Sequence, residues 1–347
     1  MRRFGTKRLI LLLCAALLIM LICIVITSFV YSADLGYLAG DVFNNVDIPV
    51  DSLYINMFEA SVVNWEIAYW SAMICEYTYE KPFYPLDNLA LTKLGFTTAR
   101  KNSFYDLNGE SEDDLMVDVG VKDVYSDDGR TFTLVVVAFR GVVPNVLNDP
   151  TTKENMRRCM NNASKPWREI DASVHEGFFS QYNDILAEIL PEVNAAFDMN
   201  IFHDTDNADR NIKFWITGHS MGGALSELFT LGLVESGIHP DDIISYGFAS
   251  PLVGDKRLKK YAVSVGASER MYKIVHRQDI MGYIGYGLLS GKSLAADKNI
   301  IAFGSHGIFD RSHHSLPRIY LPFIASQNDH PKRQQFEASL FDKILSI

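Results

Sequence analysis

Cysteine is scarce in this chain of 347 residues: there are four, and Cys14 and Cys23 sit inside an apolar run near the start. That leaves Cys75 and Cys159, room for one disulfide at most in an oxidising compartment. CxxC and HExxH spacings are absent, and so is a glycine-rich phosphate loop with its lysine, so no metal and no cofactor is expected. Positive charge is also in deficit. The net charge is −10, and four cations (Arg2, Arg3, Lys7, Arg8) precede the apolar run, so the remainder is more acidic still. An acidic body is a poor electrostatic partner for nucleic acid or anionic headgroups, and no nucleic-acid partner is expected. Pro/Ser-rich linkers, repeats and long low-complexity tracts are missing too, which points to one large domain.

What is present begins with the uncharged run Leu9–Val30. It is long enough to cross a bilayer as a helix, and longer than the roughly 7–15 residue core of a cleavable signal peptide. Residues 1–31 are therefore predicted to be a cytosolic basic flank and a transmembrane signal anchor. Residues 32–50 read as a juxtamembrane connector and 51–347 as the domain proper. The basic flank stays in the cytosol, and the domain is delivered to the lumen or outside. Val30-Tyr31-Ser32 before Ala33 is an alternative cleavage site that would release a secreted protein. The sequon Asn162-Ala163-Ser164 fits an exported domain.

Along the domain, strand and helix signals alternate. Phe58–Tyr77 has helical spacing and is expected to pack on the outside of the core. Leu94–Thr98 and Leu115–Val124 are β-like, and Asp127-Asp128-Gly129-Arg130 is a turn. Thr131–Phe139 is β-branched and apolar without alternation, as in a strand covered on both faces. A long amphipathic helix follows at Gly177–Phe197. Further strands are predicted at Ile212–Gly218, Asp242–Phe248 and Met271–His276, with helices at Ala224–Gly232 and Lys256–Val265. The pattern predicts an α/β fold: a mostly parallel central sheet with helices on both faces.

The most informative stretch is Gly218-His219-Ser220-Met221-Gly222-Gly223-Ala224. A strand runs into a turn that opens a helix, with glycines where strand and helix nearly touch. That context exposes a serine hydroxyl on a strained turn, so Ser220 is a candidate nucleophile. A serine needs a base to take its proton, and the base needs an acid to orient it. Asp279 lies just beyond the strand Met271–His276, at the edge where parallel sheets place their ligands. The histidines that follow are His306, His313, His314 and His330. His330 reads as a surface-loop residue, His306 as a loop residue near the site, and the pair His313-His314 as the better position for the base. An oxyanion needs two N–H donors. Met221 supplies one, and the strand exit Val137-Ala138-Phe139-Arg140-Gly141-Val142 is placed to supply the other. His203 and His239 lie in polar loops and read as solvated.

Four segments together resemble the successive signature blocks of the class 3 (fungal-type) lipases, from the α/β-hydrolase superfamily. They are Val137–Gly141, Val174-His175-Glu176-Gly177-Phe178, Thr217–Ala224 and Tyr246–Asp255. The resemblance implies an α/β-hydrolase fold with Ser220 as nucleophile, Asp279 as acid and His314 as base, with His313 and His306 as alternative bases. It places the oxyanion donors at Met221 and Val142. Val142 stands where the family commonly has Ser or Thr, so the backbone N–H remains and a hydroxyl is lost. The implied activity is serine ester hydrolysis of lipid esters at a membrane or lipid interface, foremost of acylglycerols. A phospholipase A1 or galactolipase is the alternative enzyme, and a catalytically silent lipase-like binding protein is the non-enzymatic one. The family's lid would fall in residues 148–168, where Met160 and Trp167 mix with charged residues, a mixture that fits a plain solvated loop equally well.

Overall fold

Strands that are apolar on both sides belong at the centre of a sheet, and two such runs lie there. β3 (Thr131–Phe139) pairs in parallel with β6 (Ile212–His219), Val137 opposite Ile216. Alternate residues serve opposite layers: Val135, Val137 and Phe139 join one hydrophobic cluster, Leu134, Val136 and Ala138 the other. β7 (Ile243–Phe248), β8 (Met271–His276) and β9 (Ile300–Phe303) continue the sheet in parallel. On the other side β2 (Met116–Tyr125) and β1 (Thr97–Asn102) are antiparallel, giving the order β1-β2-β3-β6-β7-β8-β9. A two-stranded hairpin, β4 (Ser164–Pro166) with β5 (Ser173–His175), stands apart. This computed structural model describes residues 51–59, 62–79, 88–102, 116–125, 129–142, 157–160, 163–197, 211–287, 290–307, 309 and 311–327.

One face of the sheet is covered by α1 (Asp51–Glu59), α2 (Trp65–Tyr77), α3 (Leu89–Lys93) and α8 (Leu321–Gln327). The other carries α4 (Glu176–Asp184), α5 (Leu190–Phe197), α6 (Met221–Glu235) and α7 (Lys256–Ser264). The mostly parallel sheet with helices on both faces is the architecture expected.

Several local expectations need correction. Phe58–Tyr77 is two helices, because Asn64 caps α2 by accepting from the N–H groups of Glu66 and Ile67 at 3.1 and 3.2 Å. Nor does α2 lie on the outside. Every residue from Ile67 to Tyr77 is buried, since α8 covers its outer flank and Phe323 meets Trp65 edge-on at 5.7 Å. The β-like segment at Leu94 starts later, at Thr97, because Asn88 caps α3 and Leu94 ends it. Gly177–Phe197 is one helical rod with a π-helical turn, Ile185–Ile189, between α4 and α5. β9, α8 and the hairpin were not legible from pattern. Cys75 and Cys159 are both free, and Cys75 Sγ lies 3.1 Å from Thr217 Oγ1.

Among the described residues no helix is long and apolar enough to cross a membrane. The anchor and connector expected over residues 1–50 lie outside the described residues, as do Asn162, His203 and His330.

Candidate active site

The turn after β6 is built by exclusion of side chains. A Cβ on Gly218 would collide with the carbonyl of Gly222, and one on Gly222 with the carbonyl of Phe139. With both sites empty, α6 starts directly against the sheet. Ser220 then adopts φ 58° and ψ −128°, a conformation that is costly for any residue with a side chain. Its N–H is held by the carbonyl of Phe248 at 2.9 Å, which anchors the turn to β7. The serine side chain is thereby presented at the carboxyl edge of the sheet.

Asp279 sits at the next strand exit but one, three residues past β8. Its Oδ1 accepts the Met281 N–H at 3.0 Å, capping a short 3₁₀ turn. Its Oδ2 accepts the Tyr320 hydroxyl at 2.7 Å. That hydroxyl also accepts the N–H of His276 at 3.1 Å, so Tyr320 ties the acid to the end of β8. Burial, reinforced by the adjacent Asp279 charge, holds the Tyr320 phenol well above its ordinary range, so it remains a donor. Lys273 supports the same loop by donating from Nζ to the carbonyl of Gly282 at 2.9 Å. Burial pushes this ammonium down to about 8, against the opposing pull of Glu227 and Asp279. Glu227 is raised by burial and accepts from Ser293 Oγ at 2.8 Å and the Leu294 N–H at 2.6 Å.

His314 lies between serine and acid. Its Nδ1 is 2.9 Å from Asp279 Oδ2 and 3.1 Å from Oδ1, and its Nε2 is 2.9 Å from Ser220 Oγ. A carboxylate only accepts, so Nδ1 carries the proton and Nε2 is left bare toward the hydroxyl. The residues come from three separated segments, yet their polar atoms form one unbroken row. This arrangement can take a proton from a hydroxyl and hold the resulting imidazolium against a buried carboxylate.

The alternative bases are placed elsewhere. His313 stacks on His276, ring centroids 4.2 Å apart and planes at 12°, instead of facing Ser220. A neighbour in a 3₁₀ turn points its side chain in another direction, which separates two adjacent histidines. His306 is exposed on the loop after β9. Met221 is the first residue of α6, a position whose N–H has no intrahelical acceptor. Val142 is buried at the exit of β3, and the preceding Gly141 adjoins Ser220, whose Cβ lies 3.0 Å from the point a Gly141 Cβ would occupy. Among the described residues no cluster of three or more His, Cys, Asp or Glu is arranged for a metal ion.

Trp167 does not behave as a lid residue. It is fully buried between Phe179 and Tyr182 and donates from Nε1 to Glu235 Oε1 at 2.8 Å. Arg158 pairs with Asp184 at 2.6 Å, so the C-terminal part of segment 148–168 is tied to the body of the domain. Met160 alone of the two apolar residues named there is exposed. Residues 148–156 lie outside the described residues.

Tyr320, Lys273, Tyr79 and the elbow's own His219 were not assigned from sequence. Each acts through contacts with distant segments, and no local pattern marks such contacts.

Residues 136–284 match the family model for lipase (class 3). A secreted mono- and diacylglycerol lipase 1 of Fusarium solani is 28% identical over 170 residues, covering 45% of this chain and 47% of that protein. A lipase of Rhizomucor miehei is 30% identical over 113 residues, covering 32% and 28%. The chloroplastic phospholipase A1 PLIP2 of Arabidopsis thaliana is 34% identical over 119 residues, covering 32% and 15%. The matches thus span less than half the length of each of these relatives. Among solved structures, a fungal lipase–inhibitor complex aligns with a TM-score of 0.43 at 18% identity, covering 68% of this chain and 77% of the other.

Proposed function

We propose that this chain, a member of the class 3 lipase family of the α/β-hydrolase superfamily, is a serine hydrolase of lipid esters, most directly of acylglycerols. The observation that carries this reading is the row of hydrogen bonds from Ser220 Oγ through His314 to Asp279. In the proposed mechanism Ser220 Oγ attacks the ester carbonyl carbon while its proton passes to His314 Nε2. Asp279 stabilises the imidazolium, and the N–H groups of Met221 and Val142 hold the oxyanion. The carbon–oxygen bond to the alcohol then breaks, and that alcohol takes the proton from His314. Water repeats the sequence on the acyl-enzyme and releases the fatty acid, restoring the Ser220 hydroxyl. No metal or cofactor takes part.

The anchor over residues 1–31 completes the proposal by holding the domain 51–347 at a lipid interface on the lumenal or extracellular side. Its support is the sequence alone: a long apolar run behind a basic flank.

Phospholipase A1 activity is the second reading, favoured by the PLIP2 relative. A fluorophosphonate probe is expected to label the purified protein, with labelling lost in Ser220→Ala. Parallel assays on diacylglycerol, monoacylglycerol, phosphatidylcholine and galactolipid should then show acylglycerol turned over fastest. A fastest rate on phospholipid would replace the first reading by the second. Folded protein that neither labels nor hydrolyses any of them would make the chain a silent binding scaffold.

A further inference from the structure

We propose that Tyr79 and His219 form a positioning relay that holds the oxyanion-side loop and the base in register with each other. This rests on the hydrolase reading above. His219 is the residue before the candidate nucleophile, and its two ring nitrogens are engaged in a continuous line of hydrogen bonds to Tyr79 and the His314 main chain. Its Nε2 lies 3.0 Å from the backbone carbonyl of His314. Its Nδ1 lies 2.8 Å from the Tyr79 hydroxyl, and that hydroxyl accepts the N–H of Gly141 at 3.1 Å.

The direction of every bond is fixed by the two ends. The carbonyl of His314 can only accept, so the hydrogen of a neutral His219 sits on Nε2. Nδ1 is then a bare acceptor and takes the Tyr79 proton. The Tyr79 oxygen in turn is free to accept from Gly141. The neutral tautomer satisfies all three bonds and the Tyr79 hydrogen as well, whereas a charged imidazolium would donate from Nδ1 to the Tyr79 oxygen and take this acceptor away from the Tyr79 hydrogen. The environment keeps the ring neutral: burial, with the His314 ring 4.6 Å away, holds His219 well below its ordinary range. Burial also keeps Tyr79 protonated.

The endpoints give the relay its consequence. Gly141 precedes Val142, and a Cβ at 141 would collide with the Tyr79 hydroxyl and stand 2.7 Å from the His219 carbonyl oxygen. The strand exit is therefore pressed against the elbow and latched by Tyr79. The other end holds the main chain of the residue whose imidazole faces Ser220. The chain has no hydroxyl at Val142 to fix the oxyanion loop, and the Tyr79 latch supplies a fixing bond one residue earlier. Neither Tyr79 nor His219 needs to touch the reacting atoms, so both are positioning residues.

The test uses the full chain and a soluble short-chain ester, with thermal melts of each variant. Tyr79→Phe keeps the ring and removes the latch, so kcat should fall about 30-fold while KM stays within about twofold, because the loss is felt in the transition state. His219→Ala should lose about 100-fold in kcat. His219→Gln, whose amide N–H can still reach the His314 carbonyl, should recover to within about tenfold of the wild type. Should His219→Ala not fold, Tyr79→Phe and His219→Gln decide by the same limits. Wild type that fails to label with a fluorophosphonate sinks the hydrolase reading itself. Wild type that labels and turns over, beside Tyr79→Phe with kcat within twofold of it, overturns the relay alone. His219→Gln no better than a folded His219→Ala does the same.

Discussion

The two sides of the candidate site are built by different physics. On the serine side, Gly218 to Ala224 are contiguous, and their arrangement follows from excluded volume: two glycines allow strand and helix to touch, and Ser220 takes the strained turn. On the acid–base side, Asp279, His314 and Tyr320 come from a strand exit, a 3₁₀ turn and the last turn before a helix, joined by hydrogen bonds. A side defined by sterics fails by misfolding when a side chain is added. A side defined by hydrogen bonds fails by losing rate while the fold persists. The contrast makes four predictions, in order of decreasing effect.

Asp279→Asn should cut kcat by roughly 10⁴-fold, since an amide cannot stabilise the imidazolium and favours the wrong tautomer. The melting temperature should change little by comparison. Steady-state hydrolysis within tenfold of wild type would show that the acid–base side is not organised by this carboxylate.

Gly218→Ala should act in the opposite manner, through stability. The added Cβ collides with backbone, not with a flexible side chain, so relief requires moving α6 away from β6. A loss of roughly 3–5 kcal/mol is expected in urea unfolding. A variant as stable as wild type would mean that the serine side tolerates expansion.

Acid should weaken the serine side next. His175 caps α4, accepting the Phe178 N–H at 3.3 Å, and α4 lies against α6. Burial holds His175 down to about 4, below its ordinary 6.5. The unfolded chain therefore takes a proton below about 6.5 that the folded chain refuses until about 4. Stability is full above that window, falls as pH drops through it, and is reduced by about 2 kcal/mol at pH 5. His175→Asn keeps a capping acceptor without the titration, so its unfolding free energy should lose that amount less between pH 7.5 and 5. An unchanged pH dependence would remove His175 as the cause.

Tyr320→Phe is the mildest change. It removes one donor from Asp279 and leaves the His276 N–H without its acceptor, so kcat should fall about tenfold, near 1.4 kcal/mol, with the fold retained. A stopped reaction would mean Tyr320 does more than orient the acid, and no change would mean the Met281 N–H suffices.

Legibility followed the same division. Ser220 was readable because the features that shape its turn are its own neighbours. Asp279 and His314 were readable through chain order and resemblance, while the choice among His306, His313 and His314 needed the direction of a 3₁₀ turn. Tyr320, in an apolar stretch, and Tyr79, beside Thr78 and Glu80, left no signal, because a tyrosine hydroxyl looks the same in sequence whether it meets a carboxylate, a backbone N–H or water. The burial of Trp167 was illegible for a related reason. Its mixed neighbourhood resembled a two-faced segment, but Glu235 on α6 supplies the indole's partner and draws it into the core.

By itself the sequence determined the alternation of strands and helices, the position of the strained serine turn and the acidic balance of the domain. These are properties of neighbours: periodicity, small residues at a contact, and the sum of charges. Only the tertiary structure decided which imidazole faces Ser220, that α2 is sandwiched between sheet and α8, and that Tyr79, His219, Tyr320 and Lys273 stand behind the site. Those outcomes depend on hydrogen bonds and packing between residues far apart in the chain, and their partners are chosen when the layers close.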